Sequence, residues 1–225
     1  MIIENGSAVG IVSGGFDRGS TDLYYPLDLP LRILRNLREK QSIPRGTIQS
    51  TWMVEKPVDC HARGLSYEDI GKYSPDGSGL LVAKEILPDG PSDTLIEEGD
   101  MLRTVNDEIV KAPAHFERLM DGAVGNTLKV QVHRYGTELE FELKVQDLWK
   151  LMPYRLLEFA GSVLEDLCYH TAFAFYVPIK GVLLSNVEGS FRLGGSRNKL
   201  IYSLNNQPTL DLDAFIEATR VIPSE

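Results

Sequence analysis

Residues Pro88 to Val110, PDGPSDTLIEEGDMLRTVNDEIV, decide how the rest of the chain is read. A small-residue turn at Gly90, Pro91 and Ser92 leads into a short apolar helix expected to end at Leu95 and Ile96. An acidic turn follows and closes on Gly99-Asp100. Glycine suits backbone of positive φ, and an aspartate beside it can bond neighbouring amides. Met101 to Val105 then alternates as a strand and meets a tight turn at Asn106-Asp107. The acids Glu97, Glu98 and Asp100 are read as a solvated turn in preference to a calcium site.

Around this stretch the chain divides into three parts. Residues 1–40 open with two short strands about Asn5-Gly6, a strong hairpin signal. An extended piece, Leu23 to Pro26, precedes a helix over Leu27 to Leu37, whose apolar residues 27, 31, 34 and 37 share one side. Arg32, Arg35, Arg38 and Lys40 are read as its solvated side. This part is too small for a core of its own and reads as the end of a larger β-domain.

Residues 41–147 make one unit. Thr47 to Val54 alternates as a strand, Val58 to Tyr73 is helix-prone but broken at Gly64 and Gly71, and Gly79 to Ile86 is an apolar strand. After the decisive stretch come a helix over Pro113 to Asp121 and two strictly alternating strands, Thr127 to Arg134 and Glu138 to Val145, joined at Tyr135-Gly136.

Residues 148–225 repeat the plan imperfectly. A strand is expected at Tyr154 to Ala160. Ser162 reads as an N-cap with Glu165 in the capping-box position, opening a helix to about Phe173. Strands follow at Lys180 to Leu184 and Lys199 to Leu204, with a turn at Gly194-Gly195 between them and a closing helix at Asp211 to Val221. The second unit ends where the first has its final hairpin.

Composition limits the function. The 225 residues carry a net charge of −9, with pI about 5.0, 43% hydrophobic and 24% charged. A chain this acidic, with scattered basic residues, is a poor nucleic-acid ligand. No run of 18 apolar residues exists to span a membrane. The two cysteines, Cys60 and Cys168, do not make a disulfide framework and point to a reducing, intracellular setting. Cys60-His61 lacks a second pair at zinc spacing, so no metal or other cofactor is implied. The start MIIENGSAVGIV has no basic segment like that of a secretory signal and reads as mid-domain, the mark of a fragment.

The order of the pieces from Gly90 to Asn106 resembles the centre of a PDZ domain. Gly6 to Gly15 is similar to the strand just after the catalytic serine of HtrA-type serine proteases, and Ser20 to Asp28 with Pro30 to Leu34 to their last strand and closing helix. Arg45-Gly46-Thr47-Ile48-Gln49 resembles the junction into a first PDZ unit. Gly189 to Leu193 and Pro208 to Ile216 resemble a degenerate second one. The resemblance is strongest to the large fungal nuclear form with duplicated modules, associated with apoptosis.

It implies an α+β chain: a remnant of a chymotrypsin-like β-barrel (1–40), a PDZ-like domain (41–147) and a truncated PDZ-like domain (148–225). The implied role is substrate capture and regulation of an attached endopeptidase in the nucleus. Its partners would be peptides or unfolded segments and the rest of the protease, with self-association open and no nucleic acid or membrane involved. A stand-alone peptide-binding adaptor is the alternative. The family needs a histidine, an aspartate and a serine for catalysis. By the resemblance all three lie upstream of Met1, so this chain is expected to be inactive by itself. Ser78, in Asp76-Gly77-Ser78-Gly79, is read as a plain loop serine.

The resemblance also nominates a peptide groove. PDZ-type binding needs loop amides for a carboxylate and an exposed strand edge for ladder bonds. Gly46, Thr47, Ile48 and Gln49 would form the loop, Ser50 and Trp52 the edge strand, and His115, Phe116 and Leu119 the opposing helix face. Gln49 stands where related proteases commonly carry glycine. Trp149, Leu151, Met152 and Tyr154 are read as packing between the units.

Overall fold

The computed structural model describes residues 2–15, 22–110, 112–186, 188–191 and 199–221. The Gly194-Gly195 turn, Ser20-Thr21 and Arg192-Leu193 lie outside them.

The first part is a three-stranded antiparallel sheet, β1 (Ile2–Glu4), β2 (Ser7–Gly15) and β3 (Asp22–Pro26), followed by helix α1 (Asp28–Arg38). Asn5 and Gly6 turn the chain between β1 and β2, both at positive φ, 48° and 78°. That is the backbone the two central residues of a tight hairpin must adopt. Leu31, Leu34 and Leu37 of α1 stay exposed. The helix meets the next unit through Arg32, which pairs with the buried Asp121 and so leaves the solvated side expected for it.

The middle part is built on a sheet ordered β10-β9-β7-β6-β5, with β8 on β7. Its strands are β5 (Ser50–Glu55), β6 (Leu80–Ile86), β7 (Met101–Val105), β8 (Glu108–Ile109), β9 (Thr127–Arg134) and β10 (Thr137–Lys144). A two-stranded ladder, β4 (Gly46–Thr47) with β11 (Gln146–Asp147), ties the unit's start to its end. Helices α2 (Pro57–Ala62) and α3 (Tyr67–Tyr73) follow β5, and α4 (Pro113–Gly122) packs across it. The helix-prone stretch therefore splits in two, with Gly64 at φ 98° between the halves.

Leu128, Val130, Val132 and Leu143 of the β9–β10 hairpin join Ile48, Leu81, Leu102, Val105 and Phe116 in one core. A second cluster, Cys60, Leu65, Ile70, Tyr73, Leu80, Val82 and Met101, lies under α2 and α3. Burial pushes the Cys60 thiol above its ordinary pKa. His61 faces elsewhere: its ring stacks on Tyr67 and its Nδ1 lies 2.9 Å from the Leu65 carbonyl oxygen.

Two expectations in the decisive stretch give way. No α-helix forms at 91–96: the chain makes turns there, with one Ile96 to Ser92 backbone bond, and Thr94 at φ 64° stops any continuation. The acidic turn is not wholly solvated. The Asp100 side chain is fully buried and takes two bonds of 2.7 Å from Arg134, while its Oδ2 accepts the Glu97 N–H at 2.9 Å.

The last part holds a four-stranded sheet in the order β12 (Leu156–Phe159), β13 (Ser162–Asp166), β14 (Val182–Asn186), β15 (Lys199–Ile201). Helix α5 (Tyr169–Phe175) joins β13 to β14. A small ladder, β16 (Ser203–Leu204) with β17 (Gln207–Pro208), precedes α6 (Leu212–Arg220). The helix expected from Ser162 is a strand instead. Ala160 and Gly161, at φ 50° and 82°, make a hairpin turn, and Ser162 bonds the Glu188 backbone through its hydroxyl. Leu164, Val182, Leu184, Leu212 and Phe215 form this part's core.

The middle and last parts join at Leu87, which is fully buried against Leu167, Ala172 and Leu183. The patch expected to join them has another arrangement: Tyr154 is exposed, and Trp149 donates through its indole N–H to the Ile43 carbonyl, ahead of β4.

Glu55 ends β5. Its carboxyl bonds Arg63 at 2.9 and 3.1 Å and also pairs with Lys84. The Arg63 bond is the main cause holding the Glu55 pKa below its ordinary value, against the opposing effect of burial. A folded pKa below the unfolded one gives stability that is fully present above the ordinary glutamate value and lost as pH falls through the lowered one. Glu55→Gln is expected to flatten the acid limb of stability, measured as the urea midpoint from about pH 5 to pH 3.

Candidate peptide groove

Among the described residues β5 is an edge strand, paired with β6 on one side only. Its register breaks between Thr51 and Trp52, where a bulge interrupts the ladder. α4 lies across the strand, and the Trp52 ring meets Phe116 edge-on with centroids 5.6 Å apart. Between strand and helix is a cavity of about 290 Å³. Gly46 and Thr47 bound one end, Ser50, Thr51 and Trp52 the strand side, and Pro113, Phe116, Glu117 and Met120 the helix side.

Thus Gly46, Thr47, Ser50, Trp52 and Phe116 of the nominated residues come together. The others point elsewhere. Ile48 is fully buried in the core. Gln49, at φ 56°, turns inward and donates from its amide nitrogen to Gln146 at 2.6 Å. Leu119 packs on the core. His115 faces a second cavity, of about 360 Å³, between α4 and α1, and its Nε2 lies 2.9 Å from Glu108. The helical spacing that lines the groove is Pro113, Phe116, Glu117, Met120, one residue off the nominated His115–Leu119 pair.

Two of the loop's donors already have partners. The Gly46 N–H donates to Asp121 Oδ1 at 2.7 Å, and Gln49 N–H to Thr47 Oγ1 at 3.0 Å. Asp121, only 2% exposed, also binds Arg45 at 3.1 Å and pairs with Arg32. Gly46 has to be glycine: a Cβ there would stand 2.1 Å from the Met120 carbonyl oxygen.

The last part of the chain adds two residues to the groove wall, Tyr169 and His170 at the start of α5. The Thr47 hydroxyl donates to the Tyr169 hydroxyl at 3.4 Å. Burial pushes the Tyr169 phenol above its ordinary pKa, against the smaller pulls of the Thr47 bond and Arg45. No local pattern marks these residues, because the docking of α5 at Leu87 brings them here.

The last part of the chain differs at the corresponding edge. In element order β13 answers to β5, β14 to β6 and α6 to α4, but β13 has β12 on its second side. A strand of the chain itself fills that position.

Ser78 is a turn residue, its hydroxyl donating to Asp76 at 2.8 Å. Among the described residues no group of three or more His, Cys, Asp or Glu is placed to hold a metal ion. Among them, too, no helix is long and apolar enough to cross a membrane.

A family model described as a PDZ-like domain matches residues 150–225. The pro-apoptotic serine protease NMA111 of Debaryomyces hansenii is 37% identical over 228 residues, covering 99% of this chain and 23% of the relative. That of Yarrowia lipolytica is 37% identical over 226 residues, covering 97% and 23%. The chain therefore spans about a quarter of the length of these relatives. A solved structure of the HtrA-type protease AlgW with decapeptide aligns with a TM-score of 0.42 at 17% identity, over 63% of this chain and 42% of that one. Nearly the whole chain is thus similar to a segment of the pro-apoptotic serine proteases, and its last part matches the PDZ-like domain family.

Proposed function

We propose that this chain is the peptide-capturing region of an HtrA-like serine endopeptidase, and that the capture site is the groove between β5 and α4. The observation that carries this is the free side of β5 facing a cavity whose walls include Trp52, Leu81, Phe116 and Met120. An extended peptide can add there as a further strand, its backbone bonding the edge and alternate side chains entering the groove. In the same reading residues 1–40 are the end of the trypsin-like domain, 41–147 a PDZ-like domain and 148–225 a second, truncated one. The second would not capture peptide in this way, since β12 holds the place beside β13. The role would be substrate capture for the protease, in the nucleus by family resemblance.

The test is fluorescence anisotropy of labelled decapeptides with apolar carboxy-terminal residues, each as free acid and as amide, against the whole chain. Micromolar binding that weakens about tenfold in Trp52→Ala is the expected outcome, since a base of binding energy at such a groove comes from one or two aromatic anchors. Weakening on amidation would assign a carboxylate role to the Gly46–Gln49 loop. Absence of binding by every peptide would overturn the reading.

A further inference from the structure

Resting on that reading of the groove, we propose that the last part of the chain regulates it: Tyr169 is a gate seated on the loop end of the β5–α4 groove. A guest strand running antiparallel to β5 would place its carboxy-terminal end near Gly46 and Thr47, because β5 starts at Ser50, just after them. That end is held by the protein's own groups. Asp121 occupies the Gly46 N–H and Thr47 Oγ1 the Gln49 N–H. The Tyr169 hydroxyl rests on Thr47, and its ring lines the cavity beside His170.

The gate is held loosely at its tip and firmly at its base. The hydroxyl contact with Thr47 is 3.4 Å, long for an O–H···O bond. The ring packs edge-on against Phe173, 4.9 Å between centroids, within the helix that docks at Leu87. A small movement at the start of α5 would therefore clear the loop end without breaking the junction between the two parts. A peptide carboxylate could then compete for Thr47 and for the loop amides. By linkage, a guest that needs Tyr169 displaced loosens α5, and anything that loosens α5 favours the guest.

The experiment compares the whole chain with Tyr169→Ala and Tyr169→Phe, using a free-acid decapeptide with an apolar end and its amide. Tyr169→Ala is expected to tighten the free-acid peptide about tenfold and the amide much less. Tyr169→Phe, which keeps the ring, is expected to change affinity less than threefold. Equal or weaker binding by Tyr169→Ala, in a chain that still binds peptide, overturns the gate and leaves the groove standing. Binding by none of the three overturns both. Hydrogen exchange of the unaltered chain gives a check free of any variant: amides of residues 169–175 should exchange faster with peptide bound. Unchanged or slower exchange there overturns the gate.

Discussion

Asp100→Ala is expected to destabilise the chain by about 3 kcal/mol, seen as a lower urea midpoint at an unchanged slope. The carboxylate is wholly buried and does two tasks. It accepts the Glu97 N–H at 2.9 Å, fixing the turn before β7, and it receives both Arg134 bonds at 2.7 Å. Removing it leaves a largely buried guanidinium with the Leu95 carbonyl and the exposed Glu97 as remaining partners. Breaking such a pair costs more than the pair contributes, because the surviving charge stays desolvated. The partial exposure of Arg134 and its bond to Glu97 keep the figure at the lower end of the usual range. Asp100→Asn keeps the shape and one acceptor, and about half the loss is expected from it.

Gly46→Ala is expected to cost about 3 kcal/mol and to abolish peptide binding at concentrations where the variant is still folded. The added Cβ would lie 2.1 Å from the Met120 carbonyl oxygen, 2.3 Å from its carbon and 2.9 Å from the Asp121 nitrogen. All three are backbone atoms of α4, so no rotamer change relieves the clash. The helix must move away from the loop, taking Phe116 off Trp52 and breaking the Gly46 bond to Asp121. Gly122→Ala is the control in the same helix. An added Cβ there meets nothing within 4 Å, and stability is expected to hold or rise by a few tenths of a kcal/mol. Thermal unfolding and peptide anisotropy on both variants separate the structural loss from the loss of the groove.

Much of the fold can be read from pattern, and the exceptions have physical causes. The β9–β10 hairpin shows in the strict alternation of its strands, whose inward residues Leu128, Val130, Val132 and Leu143 are all buried. Asn5-Gly6 and Tyr135-Gly136 mark turns because their backbones lie in the left-handed region. Ser162 misleads because a capping box and a strand start can share the same five residues. Pairing with β12 and β14 settles the choice, and pairing is a long-range effect. Asp100 misleads because acids in sequence look solvated until a distant arginine, Arg134, folds over them. In the nominated groove, the order of the sequence places Gly46, Thr47, Ser50 and Trp52 at the cavity but not Ile48 and Gln49, which turn inward. The helix residues at the cavity are one position off the nominated His115–Leu119 pair: Phe116 serves both core and groove, while His115 turns toward α1. Tyr169 could not be foreseen, since its place depends on a junction centred on one buried leucine.

The bulge in β6 opposite Thr51 and Trp52 also bears on how the chain avoids its own copies. An unpaired strand edge invites any other strand, and two flat edges from different molecules can zip together and grow. Met53 and Val54, both exposed, would favour such growth. But the strand behind it is irregular, because β6 carries an extra residue, Lys84, opposite Thr51 and Trp52 and twists the pair there. Past it only Trp52 to Glu55 remain in register, and Glu55 closes that end with Arg63 and Lys84. At the other end stands Tyr169. The open edge is thus short, twisted by the bulge behind it and stoppered at both ends, dimensions that admit one brief segment of a client while refusing the long flat pairing from which fibrils are built.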